Sequence, residues 1–291
     1  MPKPQLRKPE WLKVRFPAGP EYARIDRYHR QQGLNSVCRS AACPNQGECW
    51  SKGTATFMIL GSNCSRHCRF CNVSSEALLP PDPQEPQKVA KAIAELNLKH
   101  AVITSVTRDD LMDGGGAHFV ALVGEIRQQA PGCRIELLIP DLQGNWAVLQ
   151  SIVAAAPDII GHNIETVPRL YPQVRPEAEY QRSLELLSQV RRFSDQLTIK
   201  SGLMLGMGES EEEIYQTMRD LRLHNCQILT LGQYLAPSSE HYPVQRFVHP
   251  NEFTKLAKLG KKLGFEHVEA GPLVRSSFHA EEQFRAVEER Y

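Results

Sequence analysis

TATFMILGSNCSRHCRFC, residues 54–71, places three cysteines directly after a run that is typical of a buried β-strand. The run, residues 54–60, is rich in β-branched, aromatic and aliphatic side chains and ends at a glycine. Cys64, Cys68 and Cys71 follow it, separated by three and then two residues. Active sites of α/β folds assemble where the strands end, so the stretch predicts a metal site at the carboxyl end of this strand.

Similar apolar runs recur along the chain. Five more strands are predicted, at residues 101–106, 133–139, 158–164, 197–205 and 227–235. Between them the apolar period becomes helical, for instance at Val89, Ile93 and Leu96. Ser210 with Glu213 predicts a capping box at one helix start. Strands that alternate with helices favour a parallel sheet, either open and doubly wound or closed toward a barrel, and the pattern does not choose between the two.

Unusual residues also follow three of the other predicted strands. The loops are DDLMDGGG at residues 109–116, HNIET at 162–166 and GMGE at 206–209. The carboxyl ends of parallel strands meet at one rim, so all three loops are expected beside the cysteines.

A second cysteine triplet, Cys38, Cys43 and Cys49, lies upstream of the first. Three thiolates leave a zinc or four-iron shell incomplete, so each triplet takes a fourth ligand from elsewhere or keeps a position open for chemistry. Clustered cysteines of a cytosolic protein are better interpreted as metal ligands than as disulfides. Cys133 and Cys226 stand alone in apolar segments and are predicted to be buried core residues.

Composition narrows the function classes. The 291 residues are 41% hydrophobic with a net charge of +1, which gives no reason to propose nucleic acid or an anionic membrane as partner. No run approaches the length of a spanning helix, and the first twenty residues lack the apolar core of a signal peptide. We therefore expect a cytoplasmic protein.

The first triplet, with Phe70 before its last cysteine, resembles the signature of the radical S-adenosylmethionine superfamily. The resemblance implies a partial parallel (β/α)6 barrel, with three thiolates holding a four-iron cluster whose fourth iron binds the cofactor. Gly114 and Gly115 resemble the pair that meets the cofactor's amino group; Gly116 replaces the usual acidic residue, so Asp113 is the stand-in. The segment containing Gly202, Gly206 and Glu209 resembles the part that packs on the adenine. Glu165 and Arg175 are candidates for the ribose and the carboxylate.

The upstream triplet, together with RSSFHA at residues 275–280, resembles the lipoyl synthase family within that superfamily. Members most often have tyrosine where Phe278 stands. The resemblance implies a second, auxiliary four-iron cluster on Cys38, Cys43 and Cys49, with Ser277, rather than Ser276, as its fourth ligand. It also implies insertion of two sulfur atoms, supplied by that cluster, at carbons 6 and 8 of an octanoyl-lysine.

The implied partners are an octanoylated carrier (a lipoyl domain or the glycine-cleavage H protein), an electron donor such as ferredoxin or flavodoxin, and an iron–sulfur carrier. The implied organisation is an extension over residues 1–49 that carries the auxiliary cysteines, a core barrel over 50–266, and an extension over 267–291 with the RSSFHA segment.

Other interpretations remain open on the sequence. A sulfur-inserting enzyme similar to biotin synthase would lack the upstream triplet. A zinc-stabilised module would take a histidine as the fourth ligand of each triplet, and His67 and His162 are candidates only in principle. An electron-transfer iron–sulfur protein would not need the glycine-rich loops. Arg66 and Arg69 either offset a cluster's negative charge or are solvated loop cations.

Overall fold

The structure is a computed structural model that describes residues 7–14, 19–41, 43–51 and 56–288. In these residues one eight-stranded sheet runs in chain order. The strands are β1 (Asn35–Ser36), β2 (Thr56–Ile59), β3 (His100–Ser105), β4 (Arg134–Leu138), β5 (Ile159–Gly161), β6 (Thr198–Leu205), β7 (Ile228–Gln233) and β8 (His267–Gly271). All neighbours from β2 to β8 are parallel, and β1 pairs antiparallel with β2.

The six predicted strands are confirmed as β2 to β7. Residues 54 and 55, predicted to begin the first of them, lie outside the described residues. The sequence did not indicate β1 or β8. β1 is only two residues long, and in β8 only Val268 is buried, so neither forms an apolar run.

Helices follow most strands and cover the sheet, as a βα repeat requires. They are α1 (Pro20–Gln32), α2 (Val37–Ser40), α3 (Gln46–Ser51), α4 (Glu85–Glu95), α5 (Gly116–Gln129), α6 (Trp146–Ala154), α7 (Tyr171–Val174), α8 (Tyr180–Phe193), α9 (Glu211–Leu223), α10 (Pro250–Lys262) and α11 (Ala280–Glu288). The predicted capping box of Ser210 and Glu213 is present at the start of α9. No helix in the described ranges is long and apolar enough to cross a membrane.

Buried charges connect the middle strands of the sheet. Lys200 on β6 donates from Nζ to Glu136 Oε1 on β4 at 2.7 Å, and His100 Nε2 on β3 lies 3.1 Å from Glu136 Oε2, so these side chains share one face of the sheet. The parallel strands β2 to β8 follow one another in chain order, whereas the strand order of a doubly wound sheet reverses at a switch point. The structure thus supports the partial barrel over the doubly wound sheet.

Candidate functional site

The loop after β2 brings the first cysteine triplet together. The backbone amides of Thr107 and Arg66 lie 3.3 and 3.5 Å from Cys64 Sγ. Burial raises the pKa of Cys68 to about 12 and that of Cys71 to about 11, and the neighbouring cysteine charges add to both shifts. These thiols stay protonated until a metal displaces the protons, and amides aimed at a sulfur are the hydrogen bonds expected around metal thiolates.

Arg66, inside this triplet, is a buried cation and not a solvated one. Its guanidinium contacts Asp109 at 2.6 and 3.0 Å and Asp141 at 2.6 Å. Burial alone would raise the pKa of Asp141, but the hydrogen bond and charge of Arg66 outweigh it and lower that pKa to about 2. The pairs fix the cysteine loop to the loops that leave β3 and β4.

The other basic residues of the loop lie outside this network. Arg69 is exposed and stands over the Tyr242 ring, 5.9 Å from its centroid. His67 is also exposed, with Nδ1 3.1 Å from Glu177 Oε1. Phe70, the aromatic residue of the motif, packs against an apolar cluster that includes Met207.

The second triplet lies beside the first. Asn72, next to Cys71, donates to the Ser40 carbonyl at 2.9 Å, and Ser40 lies between Cys38 and Cys43. Cys38 is buried, and burial raises the pKa of Cys43 to about 11. Cys38 and Cys43, on either side of Ser40, are therefore on the same rim as Cys64, Cys68 and Cys71.

The C-terminal segment joins the second triplet. Asn45 donates to the Leu273 carbonyl, and His279 Nε2 lies 3.5 Å from Glu48 Oε1. Ser276 of the same segment donates from Oγ to Asn163 Oδ1 at 3.2 Å in the loop after β5. The segment thus spans the space between the upstream cysteines and the loop after β5.

The two serines of this segment have different surroundings. Ser276 Oγ donates to Asn163 Oδ1 at 3.2 Å. Ser277 is half-buried, and within the described part of the chain its hydroxyl has no recorded hydrogen bond. α11 begins at Ala280, so His279, and not a serine, occupies the position before the helix.

The thiols are close together but not arranged around one point. Among the described residues no three His, Cys, Asp or Glu side chains converge as ligands of a single ion do. In a four-iron cube each thiolate binds a different iron, so its sulfurs lie farther apart than those around one zinc ion. Three thiols in each triplet are the donor set that a four-iron cluster uses when its fourth iron is open or takes another ligand.

The glycine pair before α5 requires glycine. Gly114 and Gly115 have φ values of +57° and +87°, in the left-handed region. A Cβ on Gly115 would lie 2.2 Å from Leu60 Cδ1. Asp113 accepts hydrogen bonds from the amides of Gly115 and Ala117 at 2.9 and 2.8 Å, which holds the turn together.

Glu165 and Arg175 lie near the cysteine loop, whose Arg69 amide donates to the Val174 carbonyl at 2.8 Å. Arg175 Nη1 donates to the Asn163 and Ile164 carbonyls, at 2.9 and 3.2 Å. Arg175 Nε is buried and has no hydrogen-bond partner in the described residues. Burial raises the pKa of Glu165, which has a φ of +65°. An orphaned buried N–H beside a carboxylate fits a ligand that carries both an acidic and a hydroxyl group.

The GMGE loop after β6 is tightly closed. Glu209 is buried and accepts from the amides of Gly206 at 2.6 Å and Met207 at 2.9 Å. A Cβ on Gly206 would come within 2.3 Å of Gln233 Nε2. Both Glu209 oxygens are thus engaged by the loop itself.

Three other residues singled out in the sequence have local explanations. His162 is buried between the Ile139 carbonyl and Ser183, and burial lowers its pKa to about 4. Because both of its ring nitrogens already have partners, His162 is a core residue and not a metal ligand. Cys133 and Cys226 are buried, as predicted.

Sequence reasoning missed Asp141 and Asn163, which both contact site residues. Asp141 lies just past the predicted strand 133–139, and Asn163 belongs to the HNIET stretch and lies two residues past the observed end of β5, so a polar residue at a strand end is the signal that could have identified them.

The radical SAM superfamily model matches residues 58–221, more than half of the chain. The chain is 54% identical over 281 residues to a lipoyl synthase of Desulfotalea psychrophila, covering 97% of this chain and 94% of that protein. It is 52% identical over 283 residues to one of Alkaliphilus metalliredigens, covering 97% and 98%.

Solved structures confirm the fold. Methylornithine synthase aligns with a TM-score of 0.55 at 14% identity, covering 81% of this chain and 73% of that one. A maturase of FeFe-hydrogenase, HydG, aligns with a TM-score of 0.58 at 13% identity, covering 72% and 49%. Likeness at such identity concerns the fold alone.

Proposed function

This chain belongs to the lipoyl synthase family of the radical S-adenosylmethionine superfamily, and we propose that its two cysteine triplets hold two four-iron clusters with separate tasks. The chain is an enzyme that inserts two sulfur atoms, at carbons 6 and 8, into an octanoyl group carried on a lysine of a carrier protein. It uses S-adenosylmethionine and a four-iron cluster. Membership of this family rules against the three alternatives, which were an enzyme similar to biotin synthase, a zinc-stabilised module and an electron-transfer protein.

Cys64, Cys68 and Cys71 would hold the radical cluster. When bound, that cluster would supply the electron that splits S-adenosylmethionine. The reaction needs this cofactor because no side-chain acid or base can remove hydrogen from an unactivated carbon. The amides of Arg66 and Thr107 donate toward Cys64 Sγ, and the buried Arg66 fixes the loop. This chain thus supplies a thiol set on a loop that ion pairs hold in place, with backbone amides directed at one of its sulfurs.

Arg175 would bind the cofactor's carboxylate through its free Nε, and Glu165 would accept from the ribose hydroxyls. Gly114 and Gly115 would let the backbone approach the cofactor's amino group. Because backbone amides already occupy Asp113 and Glu209, we propose that these carboxylates shape the cofactor pocket together with Gly206, and that Phe70 lines it.

Cys38, Cys43, Cys49 and Ser277 would hold the auxiliary cluster, which supplies the sulfur. The observation that carries the proposal is the position of the RSSFHA segment. The segment contacts Asn45 and Glu48, which lie between Cys43 and Cys49, and Asn163 beside Glu165, while Ser277 keeps an unengaged hydroxyl among the described residues. Both sites therefore lie on one rim, where one substrate chain can visit each.

The carrier would be a lipoyl domain or the glycine-cleavage H protein. The electron donor would be a ferredoxin or flavodoxin, and an iron–sulfur carrier would rebuild the spent cluster. Eight free cysteines suit a reducing compartment, so we propose a cytoplasmic location.

Two triple variants test the assignment. Reconstituted wild type should bind about eight irons per chain, four for each triplet. Alanine at Cys64, Cys68 and Cys71 should leave about half the iron and abolish 5′-deoxyadenosine formation. Alanine at Cys38, Cys43 and Cys49 should also leave half the iron but retain cofactor cleavage without lipoyl product. Lipoyl product from the second variant would show that the sulfur comes from elsewhere.

A further inference from the structure

Asn163 lies two residues beyond β5 and touches both halves of the site. Its Nδ2 donates to Glu165 Oε1 at 3.0 Å, and its Oδ1 accepts from Ser276 Oγ at 3.2 Å. Its backbone carbonyl accepts from Arg175 Nη1 at 2.9 Å. One residue therefore contacts the serine segment, the half-buried Glu165 carboxylate and the buried Arg175.

The amide of Asn163 has one workable orientation. A carboxylate only accepts hydrogen bonds, so the NH₂ group must face Glu165, which leaves Oδ1 for the Ser276 hydroxyl. Rotating the amide by 180° would set Oδ1 against a Glu165 oxygen and lose that bond, whereas the Ser276 hydroxyl can pair with either end of the amide.

The sheet makes room for this side chain. A Cβ on Gly202 of β6 would lie 2.8 Å from Asn163 Oδ1 and 2.8 Å from Thr230 Oγ1. Because real Cβ contacts are not that short, glycine at 202 is what admits the amide. The backbone of Glu165 makes two hydrogen bonds with β6. Its amide donates to the Gly202 carbonyl at 2.9 Å, and its carbonyl accepts from the Met204 amide at 2.9 Å.

We propose that Asn163 is a positioning residue that ties the serine segment of the auxiliary cluster to the carboxylate that binds S-adenosylmethionine. The inference rests on the proposed function. Through Nδ2 it orients Glu165 toward the cofactor, and through Oδ1 it fixes Ser276, so that Ser277, the next residue, is presented to the cysteines. The two contacts have different consequences and can be removed one at a time.

Two substitutions separate the contacts. Asn163→Asp keeps an oxygen for Ser276 but replaces the donor to Glu165 with a like charge. Ser276→Ala removes only the Ser276 contact. Asn251→Asp, an exposed asparagine in α10, is the matched control for the added charge.

The affinity for S-adenosylmethionine is measured by titration calorimetry on the reconstituted protein at pH 8.5, beside iron content and lipoyl product per chain. Asn163→Asp should weaken cofactor affinity about tenfold and keep the full iron complement. Ser276→Ala should keep the affinity within about twofold of wild type while lowering lipoyl product several-fold, because only the serine segment is released. Asn251→Asp should match wild type in all three measurements.

Wild-type affinity in Asn163→Asp, or equal losses of affinity in both site variants, would overturn the inference. If Asn163→Asp does not load iron, Asn163→Ser, which is smaller and neutral, is judged by the same criteria. Wild-type protein that fails to cleave S-adenosylmethionine would instead refute the proposed function, so the two failures are distinguishable.

Discussion

Arg66 and Arg69 are the same residue type in one loop, yet only Arg66 is buried among carboxylates. Its side chain is 4% exposed, and that of Asp141 is fully buried. The sequence shows two arginines beside the cysteines but not that one is buried and the other exposed. Asp109 and Asp141, which surround Arg66, come from the ends of two other strands. Asn163 was missed for the same reason: its contact with Ser276 spans 113 residues of sequence.

Arg66→Met should leave Asp141 buried without its main partner. Removing one member of a buried ion pair costs about 3–5 kcal/mol of unfolding free energy, so we expect a clear loss in denaturant titrations. We also expect poor loading of the radical cluster, with the auxiliary triplet as internal reference. Arg69→Met, the matched control, should cost about 1 kcal/mol or less. Equal effects of the two substitutions would contradict the assigned roles.

Ser277 is expected to respond to a change of ligand type. An alkoxide oxygen leaves iron more readily than a thiolate does. Ser277→Cys should therefore keep the full iron complement but yield less lipoyl product, and Ser277→Ala should also impair product formation. Ser276→Ala should have a smaller effect than either. Normal turnover in both Ser277 variants would remove this residue from the site.

At the scale of the element, β8 shows which strands a sequence pattern does not predict. β2 to β7 were predictable because each carries an apolar run that two layers bury. β8 pairs fully with β7, but its side chains are mostly half-exposed, so its place in the sheet depends on backbone hydrogen bonds that no periodicity records. This strand lies within the predicted C-terminal extension, whose boundaries stay a prediction.

Two glycines near α5 should respond in opposite ways to alanine. Gly115→Ala adds a Cβ against Leu60 at a φ of +87°, a conformation that costs a non-glycine residue about 1–3 kcal/mol. Gly124, inside the helix, has nothing within 4 Å of the added Cβ, so Gly124→Ala should stabilise by about 1 kcal/mol. Thermal unfolding of both variants checks this; stabilisation by Gly115→Ala would show that the turn adopts another conformation.

At the scale of the whole molecule, buried ion pairs connect loops and strands that are far apart in the sequence. Asp141 joins the rim loops, and Glu136 joins β3, β4 and β6 inside the barrel. For Glu136 burial would raise the pKa, but the Lys200 charge and the His100 hydrogen bond outweigh it and lower the pKa below its usual range.

Acid should therefore unfold the protein in a defined window. A carboxylate whose pKa is lower in the folded state stabilises fully above its unfolded pKa, near 4, and loses that contribution as pH falls toward its folded pKa. With two such groups the unfolding free energy should fall by up to about 2.7 kcal/mol per pH unit between about pH 4 and pH 2. Urea titrations of metal-free protein across that range measure the slope, and Asp141→Asn should reduce it. A flat profile would mean that neither carboxylate is depressed.

The contacts of Asn45 with Leu273 and of Glu48 with His279 span 228 and 231 residues. A growing polypeptide can make them only after residues 273 and 279 have left the ribosome, whereas the loop of Cys64, Cys68 and Cys71 can meet Asp109 and Asp141 much earlier. Cluster loading during synthesis should therefore begin at the radical triplet. Chains arrested after Gly271 should take up iron there and leave the upstream cysteines open to thiol reagents, and equal protection of both triplets in such chains would rule out this order of maturation.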